Sequence, residues 1–305
     1  MSIASIQGKL EESSIKLIDE KNDIEDKIKI KYAKYIDDSN YVYKKCKDYL
    51  IVILKKLKNT ITNENRKNIF NPSHAKYRGN HFEVSHIFSL VDLSDEIKTA
   101  FSFHNAQFYY TVGKIVEVNN YNMDEIICST GIHYFKDIMT ACCYNTKPDN
   151  YSGAWKTYYD NGQLCHESKY INGKLYGKLI VYCEDGNPGD SYEYVNDKLN
   201  GIKTEWYKNF KRIHDTYNSP STAPCTDEPV LVQLYPKTQI HRQYNYVNNI
   251  IHGKFTEWYG DGTKYFECEY VNGLMHGVKN IWNRKGKIES SLNYINGILY
   301  NRIIN

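Results

Sequence analysis

Gly253 opens the stretch that decides the fold, GKFTEWYGDGTKYFECEYVNGLMHG, which closes on Gly277. It holds two turn signals about eleven residues apart, Gly260-Asp261-Gly262 and Asn272-Gly273. Both are places where the backbone needs positive φ, which Gly and Asn tolerate. Between and beside them the runs Lys254 to Tyr259 and Lys264 to Tyr270 alternate in polarity and are rich in aromatics. Alternation over six or seven residues between turn signals predicts two strands of a β-hairpin.

The same unit recurs. Gly153, Gly177 and Gly201 are spaced 24 residues apart, and so are Gly253, Gly277 and Asn301. Five residues after each glycine stands an aromatic: Tyr158, Tyr182, Trp206, Trp258 and Trp282. Seventeen after stands Tyr170, Tyr194, Tyr270 or Tyr294, with Tyr217 one short. Two further on comes an Asn, usually followed by Gly, with Asp197 as the exception. Gly201 and Gly253 are 52 residues apart, two periods plus four. A degenerate unit is therefore expected over Pro229–His252, keeping Tyr235 and Tyr246, with an irregular Pro/Ser/Thr-rich insertion at 219–228. That makes about six units. A 24-residue period with paired turn glycines excludes helical repeats. Residues 151–305 are expected to form an extended single-layer antiparallel β-meander held by cross-strand aromatic pairs.

The pattern Gly-x4-aromatic-aromatic-x2-Gly-x7-Tyr-x-Asn-Gly-x3-Gly resembles the MORN repeat, in the form found in bacterial and giant-virus proteins. The resemblance covers about half the chain. It departs from the pattern at the Gly201 and Pro229 units, where Phe210 and Thr238 replace the first turn glycine.

Upstream, two zones of different texture precede the repeats. Residues 1–69 lack Pro in their first sixty positions and place Ile3, Ile6, Leu10, Leu17, Ile18, Ile24 and Ile28 near helical spacing. A further helix is expected over 44–58, where Leu50 to Leu54 and Leu57 lie among Lys44, Lys45, Lys47, Lys55, Lys56 and Lys58. Residues 70–150 read as a small mixed domain. Strands are expected near 81–90, 100–104, 108–118 and 134–135, with a short helix over 136–143. The segment Cys128-Ser129-Thr130-Gly131-Ile132-His133-Tyr134-Phe135 resembles part of a small domain of unknown function that accompanies repeat arrays in giant-virus proteins. The fold class is thus α+β: N-terminal helices, a small mixed domain and a hairpin array.

Composition narrows the function. Net charge is +3, distributed as +3 over residues 1–60, −2 over 61–152 and +2 over 153–305, so no zone is a basic patch for nucleic acid. No signal peptide and no apolar run near the roughly 20 residues of a bilayer span is apparent. Eight cysteines without a secretory leader read as reduced thiols, which points to the cytoplasm. Asn and Ile are abundant (31 and 32) and Ala scarce (8), a bias toward AT-rich codons that, with the resemblances, points to a giant virus and a host cytoplasm.

Catalytic chemistry finds little support. Cys128, His133, Cys142 and Cys143 cluster in sequence but lack the C-x2–4-C pair of structural zinc sites, and no metal is expected. A nucleotide-binding or transferase-like site in 70–150 would use His133 and Tyr134 but has no evident catalytic acid. No P-loop, GxGxxG, HExxH or GxSxG occurs, and no cofactor is expected. The expected function is that of a non-catalytic scaffold binding a protein partner or itself, with Trp206 and Trp258 as contacts. Peripheral membrane (phospholipid) binding through the 44–58 helix, including Lys55 and Lys56, or through the repeat sheet is the alternative.

Overall fold

The computed structural model describes residues 23–105, 107–127, 129–208 and 238–304. Cys128, Tyr217, Tyr235, the helical spacing at positions 3–18 and the insertion at 219–228 lie outside the described residues. The protein is mostly β, with few helices and a long C-terminal antiparallel hairpin meander. Its described residues fall into two compact units. The first runs to Gly186 and takes in Glu193–Lys198; the second holds Asn187–Tyr192 and continues from Leu199.

The first unit begins with α1 (Ile24–Lys31) and α2 (Ala33–Ile36). Asp23 caps α1, its carboxylate accepting from Glu25 N at 2.9 Å. Eight strands follow: β1 (Tyr41–Lys45), β2 (Leu50–Lys55), β3 (Lys76–Gly79), β4 (His81–Ser89), β5 (Thr99–Phe101), β6 (Tyr109–Thr111), β7 (Ile115–Glu117) and β8 (Ile132–Phe135). The short helix α3 (Ile138–Cys142) comes next, capped by Asp137. Six of the strands make an antiparallel sheet in the order β3-β8-β1-β2-β4-β7, and β5 pairs with β6.

The helix expected over 44–58 is instead the β1–β2 hairpin. Val42 lies opposite Leu54 and Lys44 opposite Val52. Asp48 and Tyr49 turn the chain with φ of 56° and 58°. Both faces of β2 are covered. Ile51 and Ile53 pack with Tyr43, Phe88 and Ile28 on one side; Val52 and Leu54 pack with Val42, Tyr77, Phe82 and Val84 on the other. A strand buried on both faces reads as a continuous apolar run, which periodicity alone cannot separate from a buried helix. Burial decides: each such side chain removed from water contributes roughly 1.5–3 kcal/mol, against helix-propensity differences of about 0.7 kcal/mol or less per residue. The helical character expected over 1–69 is therefore confined, among the described residues, to α1 and α2.

The first repeats belong to the same unit: β9 (Gly153–Tyr158), β10 (Leu164–Ile171), β11 (Lys174–Leu175) and β12 (Gly177–Tyr182); next along the chain come β13 (Pro188–Val195), whose residues 188–192 fall in the second unit, and β14 (Lys198–Leu199), whose Leu199 does too. Trp155 and Tyr151 sit in the core against Ile138, Cys142 and Tyr43, so the opening hairpin is cemented to the mixed domain. Tyr158 stacks on the His74 ring at 4.1 Å, and Phe70 N donates to Asn161 O at 2.9 Å.

The second unit is the meander β15 (Gly201–Trp206), β16 (Ile240–Val247), β17 (Ile250–Trp258), β18 (Lys264–Val271), β19 (Leu274–Trp282), β20 (Ile288–Ile295) and β21 (Ile298–Ile304). Each strand pairs antiparallel with the next. The unit expected over Pro229–His252 resolves differently. Gly201 lies opposite Tyr246 just as Gly253 lies opposite Tyr270 and Gly277 opposite Tyr294. Tyr246 is thus the second-strand tyrosine of the Gly201 repeat. The separation is 246 − 201 = 45 residues where a regular repeat has 270 − 253 = 17, so 28 extra residues sit inside that repeat's first connection. The sixth phase is supplied by β21, where Asn301 takes the glycine position.

Three devices repeat through the array. The Asn-Gly steps are tight turns with both residues at positive φ, as at Asn272 (51°) and Gly273 (83°). In each, the second residue donates its N–H to the strand before the preceding repeat glycine: Gly273 N to Ile251 O at 2.8 Å, Gly297 N to Met275 O at 2.7 Å. Where glycine is missing, Asp197 and Asn249 keep the positive φ and add a side-chain acceptor for Leu175 N and Leu199 N, both at 2.7 Å. The repeat glycine itself forms a bulge: Asn245 stands opposite the three residues His252–Lys254, with Gly253 at φ 90°. Finally, the tyrosine after the repeat aromatic reaches the next repeat. Tyr159 donates to Tyr182 O at 2.7 Å, Tyr207 to Trp258 O at 2.7 Å and Tyr259 to Trp282 O at 3.0 Å.

Candidate functional site

The concave chemistry of the first unit gathers around the loop that leads into β8. Arg78, on β3, is fully buried and organises that loop. Its Nε donates to Ile126 O at 2.9 Å and its guanidinium nitrogens donate to Thr130 O at 2.8 Å, to Asn122 O, and to the backbone and carboxylate oxygens of Asp124. Its plane lies over the Tyr121 ring at 5.0 Å. Gly131 is the residue that fits at φ 154°, because a Cβ there would meet Arg78 Cβ at 3.1 Å and the Tyr121 ring at 3.2 Å. One buried cation thus satisfies four carbonyls that the loop would otherwise leave without partners.

The clamped loop closes one side of a cavity of about 570 Å³. Lys44 of β1 and Lys76 of β3 stand on a second side, and Phe108, Tyr110, Phe135 and Tyr144 supply aromatic walls. Lys44 Nζ donates to His133 O at 3.2 Å and lies 5.8 Å from the centre of the Tyr110 ring. Lys76 Nζ donates to Tyr144 Oη at 3.3 Å and has Asp160 Oδ1 at 3.8 Å. Lys45 also lines the cavity. Its ammonium is buried, donating to Cys142 O at 2.7 Å and to Thr146 O, over the Trp155 ring at 5.0 Å. Burial lowers the pKa of Lys45 to about 8 and also lowers that of Lys44.

His133 faces this cavity from β8. Its Nε2 is 2.7 Å from Ile127 O, which assigns the proton to Nε2 and leaves Nδ1 as an acceptor. Burial holds its pKa down to about 4, a hydrogen bond to Ile127 O opposing the shift and the charges of Lys44, Lys76 and Arg78 adding to it. The folded protein therefore binds fewer protons at this site than the unfolded chain once the pH falls below the ordinary histidine value of about 6.5. Its contribution is intact above that pH and is lost as the pH falls toward 4. We predict that His133→Gln flattens the fall in melting temperature between pH 6.5 and about 4; a variant with the wild-type slope would contradict this.

Other titratable clusters are structural. Glu64 accepts from Tyr134 Oη at 2.7 Å and pairs with Lys136 at 2.6 Å. Burial opposes its ionisation, but those two bonds and the nearby lysines hold its carboxyl below the usual range. Asp137 caps α3, accepting from Thr140 N and Oγ1 at 2.6 and 2.7 Å, while His74 Nδ1 lies 2.7 Å from the same hydroxyl. Burial pushes the Cys143 thiol beside this cluster up to about 12 and raises that of Cys142 well above the ordinary value, which disfavours the thiolate at both. Among the described residues no group of three His, Cys, Asp or Glu side chains has metal-binding geometry.

The expected contact residues take these places. Lys55 ends β2, and Lys56, just beyond it, pairs with Glu64 at 3.3 Å. Trp206 and Trp258 are half-buried at the ends of β15 and β17. The repeat tyrosines Tyr170, Tyr194, Tyr246, Tyr270 and Tyr294 lie near the Asn-Gly turns. Sequence reasoning missed the apolar pairs that flank those turns. Val247 pairs with Ile250, Val271 with Leu274 and Ile295 with Ile298. All six are exposed, from 38% at Val271 to 73% at Ile298. Leu274 Cδ2 lies 3.5 Å from where a Cβ would stand on Gly297, so Leu274 reaches the next Asn-Gly turn along the same edge. The opposite hairpin ends carry charge, with Arg284 4.0 Å from Asp261. The signal was present as an apolar residue on each side of the Asn-x steps at 248, 272 and 296; at 172 and 196 a lysine follows the step.

Residues 31–141 match a family model described as a family of unknown function (DUF5758). The match covers the β1–β8 sheet, the Arg78 clamp and most of the cavity wall, and stops before the repeats. No curated protein matches the chain. Among the described residues no helix is long and apolar enough to cross a membrane.

Proposed function

We propose that the protein is a non-catalytic interaction scaffold built on MORN-like repeats, and that it associates with a second copy of itself through the Asn-Gly edge of the second unit. The apolar row Val247/Ile250, Val271/Leu274 and Ile295/Ile298 carries this reading. Contiguous exposed apolar side chains at regular spacing mark interaction sites on soluble chains. A row with one apolar pair per hairpin is complementary to the same row rotated by a two-fold axis, because both present pairs at one spacing. The thiols at Cys46, Cys142, Cys143, Cys165 and Cys268, outside any disulfide, fit a reducing compartment, in keeping with action in a host cytoplasm. With residues 44–58 forming the β1–β2 hairpin, the alternative of peripheral membrane binding rests on the repeat sheet.

Sedimentation velocity over a range of concentrations tests the proposal. The wild-type chain should associate, and the triple variant Ile250→Ser, Leu274→Ser, Ile298→Ser should remain monomeric with a melting temperature within a few degrees of wild type, since exposed positions contribute little to stability. A wild-type chain that stays monomeric, or a triple variant that associates equally, would sink it.

A further inference from the structure

The cavity of the first unit gathers two ammonium side chains, Lys44 and Lys76, on its walls. Lys44 and Lys76 are close enough for each to disfavour the other's charge, and both act on His133. Among the described residues no carboxylate lines the cavity. Lys76 has Asp160 Oδ1 at 3.8 Å, and Lys44 has a carbonyl and a ring face but, among the described residues, no carboxylate within ion-pair distance. Like charges gathered in a partly desolvated space destabilise one another, and the arrangement is relieved by an anion placed between them. The walls limit what the rest of that anion can be. Phe108 and Tyr110 meet edge to face at 5.5 Å, Phe135 and Tyr144 meet tilted at 5.2 Å, and His133 Nδ1 supplies an acceptor rather than a charge. Apolar rings with a few convergent polar groups are the usual make-up of small-molecule sites, and a volume of about 570 Å³ falls within the usual range of roughly 300–1,000 Å³.

We propose that this cavity binds a small organic anion carrying a flat ring, with the phosphate or carboxylate against Lys44 and Lys76 and the ring between the aromatic walls. The site lies within the first unit and is independent of the scaffold reading, which rests on the other unit. The aromatic walls account for a ring rather than a bare ion, and the paired ammonium groups account for its charge. A ligand seated there also contacts the Ser129–Gly131 loop that Arg78 holds, so the clamp preorganises the site.

Isothermal titration of the full chain with phenyl phosphate, AMP, benzoate, adenosine and inorganic phosphate tests the proposal. Saturable binding of phenyl phosphate or AMP identifies a phosphorylated ring; binding of benzoate alone identifies a ring carboxylate. Adenosine lacks the charge and inorganic phosphate the ring, so each should bind at least about tenfold more weakly than the ring anion. Lys76→Met should weaken the ring anion by about tenfold or more, with ligand-free melting little changed. Phe108→Leu provides a second variant, which should weaken ring anions and leave inorganic phosphate unaffected. Failure of all three ring anions to bind at millimolar concentration would overturn the proposal. So would affinity unchanged in Lys76→Met, or inorganic phosphate binding as tightly as AMP.

Discussion

Replacing Arg78 with methionine should lower the stability of the first unit by about 3–5 kcal/mol, the range found when one partner of a buried charged network is removed. Methionine keeps most of the volume, so the loss isolates the hydrogen bonds. Without the guanidinium, the carbonyls of Asn122, Asp124, Ile126 and Thr130 lose their donor, and Asp124 loses its ion pair. Arg78→Lys should recover little, because a single ammonium cannot span that spread of acceptors as a planar fork does. Calorimetry would show a fall of roughly 10 °C or more in the first unit's transition. A shift of only one or two degrees would mean that the 122–130 loop is held by something other than Arg78.

The second large effect falls on a turn glycine. In Gly173→Ala the new methyl would stand 1.6 Å from Asp149 O and 2.8 Å from its carbonyl carbon, at a φ of 78°. Backbone cannot move aside as a flexible side chain can. The left-handed conformation costs a non-glycine residue roughly 1–2 kcal/mol and overpacking adds about 1–3 kcal/mol. The sum is about 2–5 kcal/mol. Gly277→Ala has a nearly identical φ of 82° but meets nothing within 4 Å, so it should cost only the conformational part, about 1–2 kcal/mol. Denaturant unfolding of the two variants separates the terms. Equal losses would show that the close approach to Asp149 is not what makes glycine necessary at 173.

These two positions also mark what could be read in the chain without coordinates. Gly173 and Gly277 belong to a 24-residue pattern, and the need for positive φ at an Asn-Gly step is a local backbone requirement. Arg78 carries no such mark. Nothing adjacent to it announces that it will be buried beneath a loop some fifty residues later in the chain, because the carbonyls that hold it come from 122–130. Lys44 and Lys76 were visible as ordinary lysines; their convergence follows from β8 lying between β1 and β3. His133 was singled out by its neighbours in sequence, and the fold places it on the cavity wall.

The hairpin period, the two turn types and the aromatic phases were determined by sequence alone, since each expresses steric and pairing rules that act within about two dozen residues. Tertiary structure decided three other matters. It made Leu50 to Leu54 a strand, because burial on both faces outweighs a weak helical preference. It assigned Tyr246 to the Gly201 repeat across 28 extra residues, because strand pairing responds to register in space rather than distance along the chain. And it brought two lysines to the walls of one cavity, because sheet order is set by the packing of the whole unit.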